Sequence, residues 1–486
     1  VWEVRRQWMR IEAQSKELMV TLERWRESLK EARELDLKGL LPNLEALAEE
    51  TDGRFEQIAR MFEDRPPEGT PRVMDLPLDK GAARALSHFQ KAALTVTRTR
   101  LQHLEEVTRS LFETLADIKG FGAASPQGPE ASSPRSGFVP DPDRIASGIR
   151  AMAGLWLAYL LWIYVEALPG GAGILMAVAP LGMALATMPQ VPVSALFKPA
   201  AASVAFAGVL YIFVMPQLSS FAGLGPMIFL ATFAICYLFA SPKQALGRAF
   251  GLAMFVTIAG ISNQQSYNFL SVADTAAMFV LVFAVLAVAA NIPHLARPEK
   301  AFLRLLGRFF RSCEYLMTTM RWDITMTPTR VDRWRKAFHE REVATLPQKL
   351  AAWGKAVDTR VLPGTKPEQV QALVNNLQAL AYRMQEQLEA RESAQAAFLV
   401  RELQEDVRAW RLKVQQVFEG WSRDPANPSV DALRERLAAR LVRVEEHVEE
   451  TLNRAAEGVL AVQDSDRLYR LLGAYRGLAG AGREDA

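Results

Sequence analysis

The sequence has little cysteine and little histidine. Its 486 residues contain two cysteines and five histidines, and neither type is clustered. Cys236 lies in an apolar segment and Cys313 in a polar one, so the pair matches neither a disulfide framework nor the ligand spacing of a zinc site. The polar parts therefore suit a reducing compartment. The sequence predicts no metal site.

The motifs of common enzyme classes are also missing. There is no phosphate-binding Walker motif and no Gly-x-Ser-x-Gly nucleophile elbow. The run at residues 120–122, Gly-Phe-Gly, is no dinucleotide fingerprint, because no strand precedes it. We therefore predict no catalytic residue, no cofactor and no enzymatic activity. The formal net charge of +3 gives no indication of a nucleic-acid partner, and none is predicted.

The most informative absence is that of charge in the middle of the chain. Charged residues make up 23% of the whole sequence, yet residues 151–296 contain only five: Glu166, Lys198, Lys243, Arg248 and Asp274. A membrane-spanning helix needs about 20 mostly apolar residues, and an ionised group at its centre costs at least about 2.5–3.5 kcal/mol. Because no soluble core explains so long an uncharged block, we predict an integral membrane protein.

Proline, glycine and the few charged residues divide this block into six predicted spans. Their approximate bounds are 149–168, 172–189, 197–215, 224–240, 246–262 and 273–292. The short loops on one side carry Lys198, Lys243 and Arg248, whereas the opposite turns contain no lysine or arginine. By the positive-inside rule, both long polar regions face the cytoplasm, as an even number of spans requires.

The predicted fold class is an all-α, polytopic membrane protein. We expect a cytoplasmic helical domain at 1–119, a flexible linker rich in Gly, Ser and Pro at 120–144, a six-span transmembrane domain at 145–296 and a second cytoplasmic helical domain at 297–486. A basic amphipathic helix follows the last span, and its pattern predicts that it lies along the inner leaflet.

Two acids near the outer ends of spans are candidate proton-pathway residues. Asp274 stands where the sixth span begins, shortly after Ser271, and Glu166 stands at the end of the first span. One interpretation is structural, since a side-chain oxygen there can accept hydrogen bonds from the free N–H groups of a helix start. The other is functional, since acids within membrane segments are candidates for transport sites. Both interpretations stay open.

Cations at the inner ends of spans and amides in one outer turn complete the candidate pathway. Arg150, Lys198 and Arg248 either set the topology and contact lipid headgroups, or attract an organic anion from the cytoplasm. The amides, which fit either a solvated loop or a polar vestibule, are Asn263, Gln264, Gln265 and Asn268.

Helix-breaking and small residues occur at several points of the apolar block. Pro180, Pro189 and Pro192 interrupt or end the second span. Broken spans can present backbone groups to a solute, although ordinary kinks are tolerated in membranes as well. Gly247 and Gly251 are four residues apart at the start of the fifth span, and this spacing predicts close packing of two helices.

The apolar block resembles a known family. The stretches that carry the resemblance are "DPDRIASGIRAMAGLWLAYLLWIYVEALPGGAGILMAVAPLGMALA", "LYIFVMPQLSSFAGLGPMIFLATFAICYLFASP", "NFLSVADTAAMFVLVFAVLAVAANI" and "RPEKAFLRLLGRFFRSCEYL". They are similar to the fusaric acid resistance, or aromatic acid exporter, family of bacterial inner-membrane proteins over about residues 140–320. Members of that family have two halves, each a six-span bundle followed by a cytoplasmic helical domain. The resemblance implies that this chain begins in the first cytoplasmic domain and continues through the second half.

The resemblance also implies a function. Members of the family are linked to drug resistance by efflux of fusaric acid and of hydroxylated aromatic acids. They work with a periplasmic membrane-fusion adaptor and often with an outer-membrane channel. We expect this chain to export small organic acids across the lipid bilayer, driven by the proton gradient. A passive organic-anion channel, a membrane scaffold that recruits partners through its cytoplasmic helices, and assembly into a homo-oligomer stay open. No family substrate residue is carried over to a position here.

Overall fold

Most of the chain that the structure describes is helical. The computed structural model describes residues 2–33, 35–121, 139–218, 220–241, 244–261, 267–292, 297–319, 329–357, 367–393, 404–423, 469–470 and 473, and no strand occurs among them. The described residues fall into two compact units. Unit 1 draws on Val1–Val139, Leu303–Ala351 and Thr365–Ala486, and unit 2 on Pro140–Phe302 and Ala352–Gly364. The all-α class predicted from the sequence is confirmed for these residues.

The first part of unit 1 is built on two long helices. Its elements are α1 (Trp2–Glu31), α2 (Leu37–Leu40), α3 (Leu44–Phe62), α4 (Lys80–Arg84) and α5 (His88–Lys119). Both α1 and α3 pack against α5. Their shared core includes Leu18, Met61 and Leu115. Helix α5 begins with a capping box, in which Ser87 and Gln90 satisfy each other's backbone N–H groups.

The later part of unit 1 contains most of α12 (Pro298–Thr319), most of α13 (Arg330–Gly354), α14 (Pro367–Ser393) and α15 (Gln404–Arg423). The apolar face of α12 is buried in protein, because Phe309 and Leu316 are fully buried and the Phe310 ring lies 5.0 Å from that of Trp421 in α15. The expectation that this helix lies along the inner leaflet is therefore wrong. A basic amphipathic pattern is common to helices that cover a lipid surface and helices that cover a protein core.

Ion pairs join helices of unit 1 that are far apart in sequence. Arg308 in α12 forms a bidentate pair with Glu342 in α13, with Nε–Oε2 and Nη2–Oε1 distances of 3.0 and 2.8 Å. Arg100 in α5 bonds to Glu386 in α14 at 2.9 Å. The Arg100–Glu386 pair joins a residue before the apolar block to one after it, within one compact unit.

In the part of unit 2 that the structure describes, six helices are apolar. They are α6 (Pro142–Tyr164), α7 (Gly173–Thr187), α8 (Val193–Val209), α9 (Phe221–Leu238), α10 (Ala245–Ala259) and α11 (Phe269–Ala289). Helix α8 continues as a π-helix, Leu210–Val214, and a 3-10 turn, Met215–Gln217. Three helical segments are long and apolar enough to cross a membrane among the described residues: Pro142–Tyr164, Val193–Gln217 and Phe269–Ala289. The other three helices are apolar but shorter. That all six cross the bilayer stays a prediction.

Helix α11 is the centre of unit 2. It packs against α6, α7 and α8, while α10 packs against both α8 and α9. A Cβ atom added at Gly251 of α10 would lie 2.6 Å from Cγ2 of Ile235 in α9. The prediction that this glycine permits close helix packing is therefore confirmed. Large apolar side chains such as Trp156 and Phe233 are more than half exposed, as a lipid-facing surface requires.

Candidate functional site

The carboxylate of Asp274 joins two segments of unit 2. Its Oδ2 accepts a hydrogen bond of 2.9 Å from the backbone N–H of Gly170, which lies in the loop between α6 and α7. Asp274 stands in the second turn of α11, and its side chain is exposed. The acid therefore links the beginning of α11 to a loop on another part of the chain.

Only glycine fits the position that Asp274 contacts. Gly170 has a φ of +71°, in the left-handed region that side chains other than glycine rarely adopt. A Cβ atom at this position would also lie 2.4 Å from Sδ of Met278, one turn further along α11. The Gly170 N–H can therefore point at the carboxylate while the loop lies directly against α11.

The residue that caps the start of α11 is not Asp274. Asn268 is the N-cap, and its side chain accepts a hydrogen bond of 2.9 Å from the Leu270 N–H. Asp274 therefore has a structural role other than capping. Its carboxylate bonds to the backbone of another segment and not to the N–H groups at the start of its own helix. Asn268 caps the helix and is exposed, whereas Asn263, Gln264 and Gln265 lie outside the described residues.

A second charged side chain holds α6 and α11 together, near the opposite ends of these helices. Nε of Arg150, in the first half of α6, donates a hydrogen bond of 3.1 Å to the carbonyl of Ile292, just after α11. A cation is favourable there because the last carbonyl groups of a helix carry partial negative charge. Arg150 is half-buried. It therefore has a structural contact as well as a position at the predicted inner surface.

The remaining candidates occupy separate positions in unit 2. Lys198 is exposed on α8, and Arg248 is half-buried on α10. Glu166 is exposed in the turn after α6, four residues before Gly170. Arg150, Lys198 and Arg248 therefore lie in the first halves of α6, α8 and α10, respectively. Asp274 contacts the loop that contains Glu166.

Sequence reasoning missed an irregular segment of the second long apolar helix. The five-residue π-helix after α8 contains the buried Tyr211, whose ring lies 5.5 Å from that of Tyr267 in an edge-to-face arrangement. The Tyr267 hydroxyl donates a hydrogen bond of 3.1 Å to the carbonyl of Met215. Such segments occur often at functional sites. The only local sequence signal is Pro216, which follows the π-helix and cannot donate a backbone hydrogen bond.

The chemistry available in unit 2 is ionic and apolar. Among the described residues, no three His, Cys, Asp or Glu side chains lie close enough together to hold a metal ion. What unit 2 offers is an exposed carboxylate that accepts a hydrogen bond from a loop, and cations in the first halves of three helices.

The comparison with protein families identifies the chain. Residues 3–341 match the model of the fusaric acid resistance protein family, and this range includes α6–α11 with every candidate residue. No significant match was found among curated proteins. The match covers well over half of the sequence and agrees with the apolar helices of unit 2. The chain is a membrane protein that belongs to the fusaric acid resistance protein family.

Proposed function

We propose that this protein exports small aromatic or other organic acids, of the fusaric acid or hydroxybenzoate type, across the bacterial inner membrane. The observation that carries the proposal is the family match over residues 3–341. Efflux is driven by the proton gradient. Both polar regions face the cytoplasm, and all six apolar helices of unit 2 cross the bilayer. A periplasmic membrane-fusion adaptor and an outer-membrane channel carry the acid onward.

The cations of alternate helices provide the first step of the proposed mechanism. Arg150, Lys198 and Arg248 each lie in the first half of a helix, at the predicted cytoplasmic surface. Their charges raise the local concentration of a carboxylate. Arg248, in the first turn of α10, also adds to the positive end of that helix dipole. Arg248 is half-buried, and a partly desolvated charge is screened less by salt than that of the exposed Lys198. Arg150 is also half-buried but already donates to the Ile292 carbonyl, so Arg248 is the best placed of the three to retain an anion.

The acid at the opposite end of α11 provides the proton step. When Asp274 is ionised, it accepts the Gly170 N–H and holds the loop between α6 and α7. Protonation removes the charge that strengthens this hydrogen bond, so the loop is held less tightly. Proton uptake from the outside is thereby coupled to movement of the loop. Glu166, in the same loop, is a second exposed acid that can exchange protons.

The proposal is tested by efflux from cells that express the complete open reading frame. Cells are loaded with labelled 4-hydroxybenzoate, and loss of label is followed with and without a protonophore. The expected result is loss that requires this protein and is abolished by the protonophore. Loss that continues without the proton gradient and reverses with the anion gradient would indicate a passive channel instead.

Replacement of the apolar helices separates transport from scaffolding. If a chain with unrelated membrane anchors in place of residues 142–289 still supports loss of labelled 4-hydroxybenzoate, the helices serve only as an anchor and the transport proposal is wrong.

Arg248→Gln, which keeps the polarity of the side chain but removes its charge, is expected to slow efflux several-fold. Arg144→Gln is the matched control, because Arg144 is exposed in the first turn of α6.

A further inference from the structure

An apolar groove runs between α8 and α11 of unit 2. Its volume is about 500 Å³, and its lining is almost entirely apolar. Small residues such as Ala200, Gly208 and Ala276 line it, together with larger ones such as Phe213 and Val280. Phe213 and Val280 are 64% and 55% exposed, so the groove opens to the surroundings of the helices instead of forming a closed cavity. In a bilayer it would face lipid.

The two helices that form the groove are antiparallel and in register. Phe197 near the start of α8 packs edge-to-face on Phe283 in the second half of α11, with ring centroids 5.5 Å apart. Eleven residues later on α8, a Cβ atom at Gly208 would lie 3.0 Å from Val272, which is eleven residues earlier on α11. This stretch is about 16 Å long at the rise of an α-helix, slightly more than one leaflet of a hydrocarbon core of about 30 Å.

The ends of the groove differ in charge. Lys198 follows the lining residue Phe197 and precedes the lining residue Ala201 by three positions, so it shares a helix face with Ala201. It is exposed. At the other end, Asp274 follows the lining residue Ala273. An anionic group is therefore favoured at the Lys198 end and disfavoured at the Asp274 end.

We propose that this groove binds one acyl chain of an anionic phospholipid, with the lipid headgroup at Lys198. The lining contains no polar group able to satisfy a carboxylate inside the groove, whereas an acyl chain needs none. A one-ring acid would occupy only a fraction of the 16 Å length. The long apolar stem of lysine allows its ammonium group to reach the headgroup while the stem remains in the hydrocarbon region. The proposal does not rest on transport. Of the residues in the proposed transport pathway, the lipid contacts only Lys198, for which the sequence also allows a contact with a lipid headgroup.

The test uses the full chain reconstituted in vesicles of a neutral phospholipid with a small fraction of photoactivatable phosphatidylglycerol, which carries the reactive group in its acyl chain. After irradiation, the labelled peptides are mapped by mass spectrometry, and the neutral phosphatidylcholine analogue serves as the comparison. We expect labelling of 193–217 and 269–289 to exceed labelling of α9, and phosphatidylglycerol to label them about fivefold more than phosphatidylcholine, the ratio that one lysine near the headgroup supplies.

Two matched pairs of variants locate the site. Ala205→Trp fills the groove and should remove this labelling, whereas Ala202→Trp, at an exposed position of α8 outside the lining, should leave it unchanged. Lys198→Gln should abolish the preference for phosphatidylglycerol, and Arg248→Gln should retain it. Ala201→Phe fills the groove from the same face and replaces Ala205→Trp if that variant does not fold.

Three results would overturn the proposal. Equal labelling of all exposed helices, with no dependence on the headgroup, would mean ordinary bulk lipid. Loss of labelling on addition of 4-hydroxybenzoate would assign the groove to the transported acid. Unchanged labelling in Ala205→Trp, accompanied by a change in oligomeric mass, would identify the groove as a contact between copies of the chain.

Discussion

The Asp274 carboxylate and the Gly170 backbone N–H, 104 positions apart in sequence, form a hydrogen bond of 2.9 Å. Near the opposite ends of the same two helices, Arg150 donates to the carbonyl of Ile292. Hydrogen bonds thus connect α6 or the loop after it with α11 near both ends. A carboxylate accepts one of these bonds, and a guanidinium group donates the other. The guanidinium of an arginine stays protonated in proteins. Under the proposed function, the Gly170 contact is therefore the one of the two that proton transfer would alter.

Asp274→Asn should separate the structural role of this side chain from its protonation. The asparagine carbonyl can still accept the Gly170 N–H, so we expect the protein to fold and insert normally. Because the side chain no longer exchanges a proton, efflux of labelled 4-hydroxybenzoate should slow at least tenfold and lose its dependence on external pH. Asp274→Ala, which removes the acceptor as well, should lower both efflux and thermal stability. Unchanged efflux and pH dependence in Asp274→Asn would rule out the proton role.

Gly170→Ala should be more damaging than Gly171→Ala. Both glycines have positive φ, +71° and +48°, so each alanine costs about 1–2 kcal/mol in backbone strain. Only the Gly170 alanine would also collide with Met278, whereas a Cβ atom at Gly171 has nothing within 4 Å. We expect a melting temperature several degrees lower for Gly170→Ala than for Gly171→Ala, measured on the purified protein in detergent. Equal melting temperatures would mean that the loop moves away from α11 without cost.

The features predicted well from the sequence are those with a local signal. The all-α class follows from long apolar or amphipathic helical patterns and from the concentration of charge outside residues 151–296. The close approach of α10 to another helix follows from the four-residue spacing of Gly247 and Gly251. In each case the residues that carry the signal also make the contact or form the element.

The features that were missed depend on partners distant in sequence. Nothing near Asp274 indicates that its partner is Gly170 instead of the N–H groups of its own helix. The pattern of α12 is that of an amphipathic helix, and sequence alone does not distinguish a protein core from a lipid surface as the cover of its apolar face. The bond from Arg150 to the end of α11 likewise requires the packing of two helices to be known.

A buried ion pair in unit 1 gives a prediction about stability. The Arg54 side chain is 2% exposed, and its guanidinium bonds to the Glu105 carboxylate at 2.9 Å and to the Thr108 hydroxyl at 3.2 Å. Arg54→Leu leaves the buried Glu105 without its principal partner, so we expect a loss of about 3–5 kcal/mol in the free energy of unfolding. Urea denaturation followed by tryptophan fluorescence measures it.

The control for Arg54→Leu comes from an exposed pair. Lys38 and Glu45 are both 74% exposed, and Lys38→Leu should leave the urea midpoint unchanged within the precision of the measurement. The double variant Arg54→Leu, Glu105→Leu should recover most of the loss, because no unpaired charge stays buried. A double variant as unstable as Arg54→Leu alone would contradict this electrostatic explanation and assign the loss to packing.

His339 gives unit 1 a dependence on pH. Its ring stacks on Tyr315 with centroids 4.1 Å apart, and Nδ1 lies 3.0 Å from the Ser312 hydroxyl oxygen. Burial, with a smaller contribution from the positive charge of Arg335, lowers the pKa of His339 to about 4. The pKa in the unfolded chain is about 6.5. The unfolded state therefore binds more protons between these values, so this contribution to stability is complete above about pH 6.5 and is lost as the pH falls towards 4.

His339→Phe should remove this dependence, because phenylalanine retains the stacking on Tyr315 but does not titrate. Since the histidine is partly exposed, solvent screening reduces its contribution to about 1–2 kcal/mol, equivalent to roughly 2–4 °C. Between pH 7.5 and 5.0 the melting temperature of the unmodified protein should fall by that much more than the melting temperature of His339→Phe. Loss of the contact with Ser312 changes the melting temperature of the variant by the same amount at both pH values. It therefore does not affect the comparison. His103→Phe, at a half-buried position of α5 beside Glu17, should follow the unmodified protein. A parallel pH response in His339→Phe would show that the ring stays accessible to protons in the folded state.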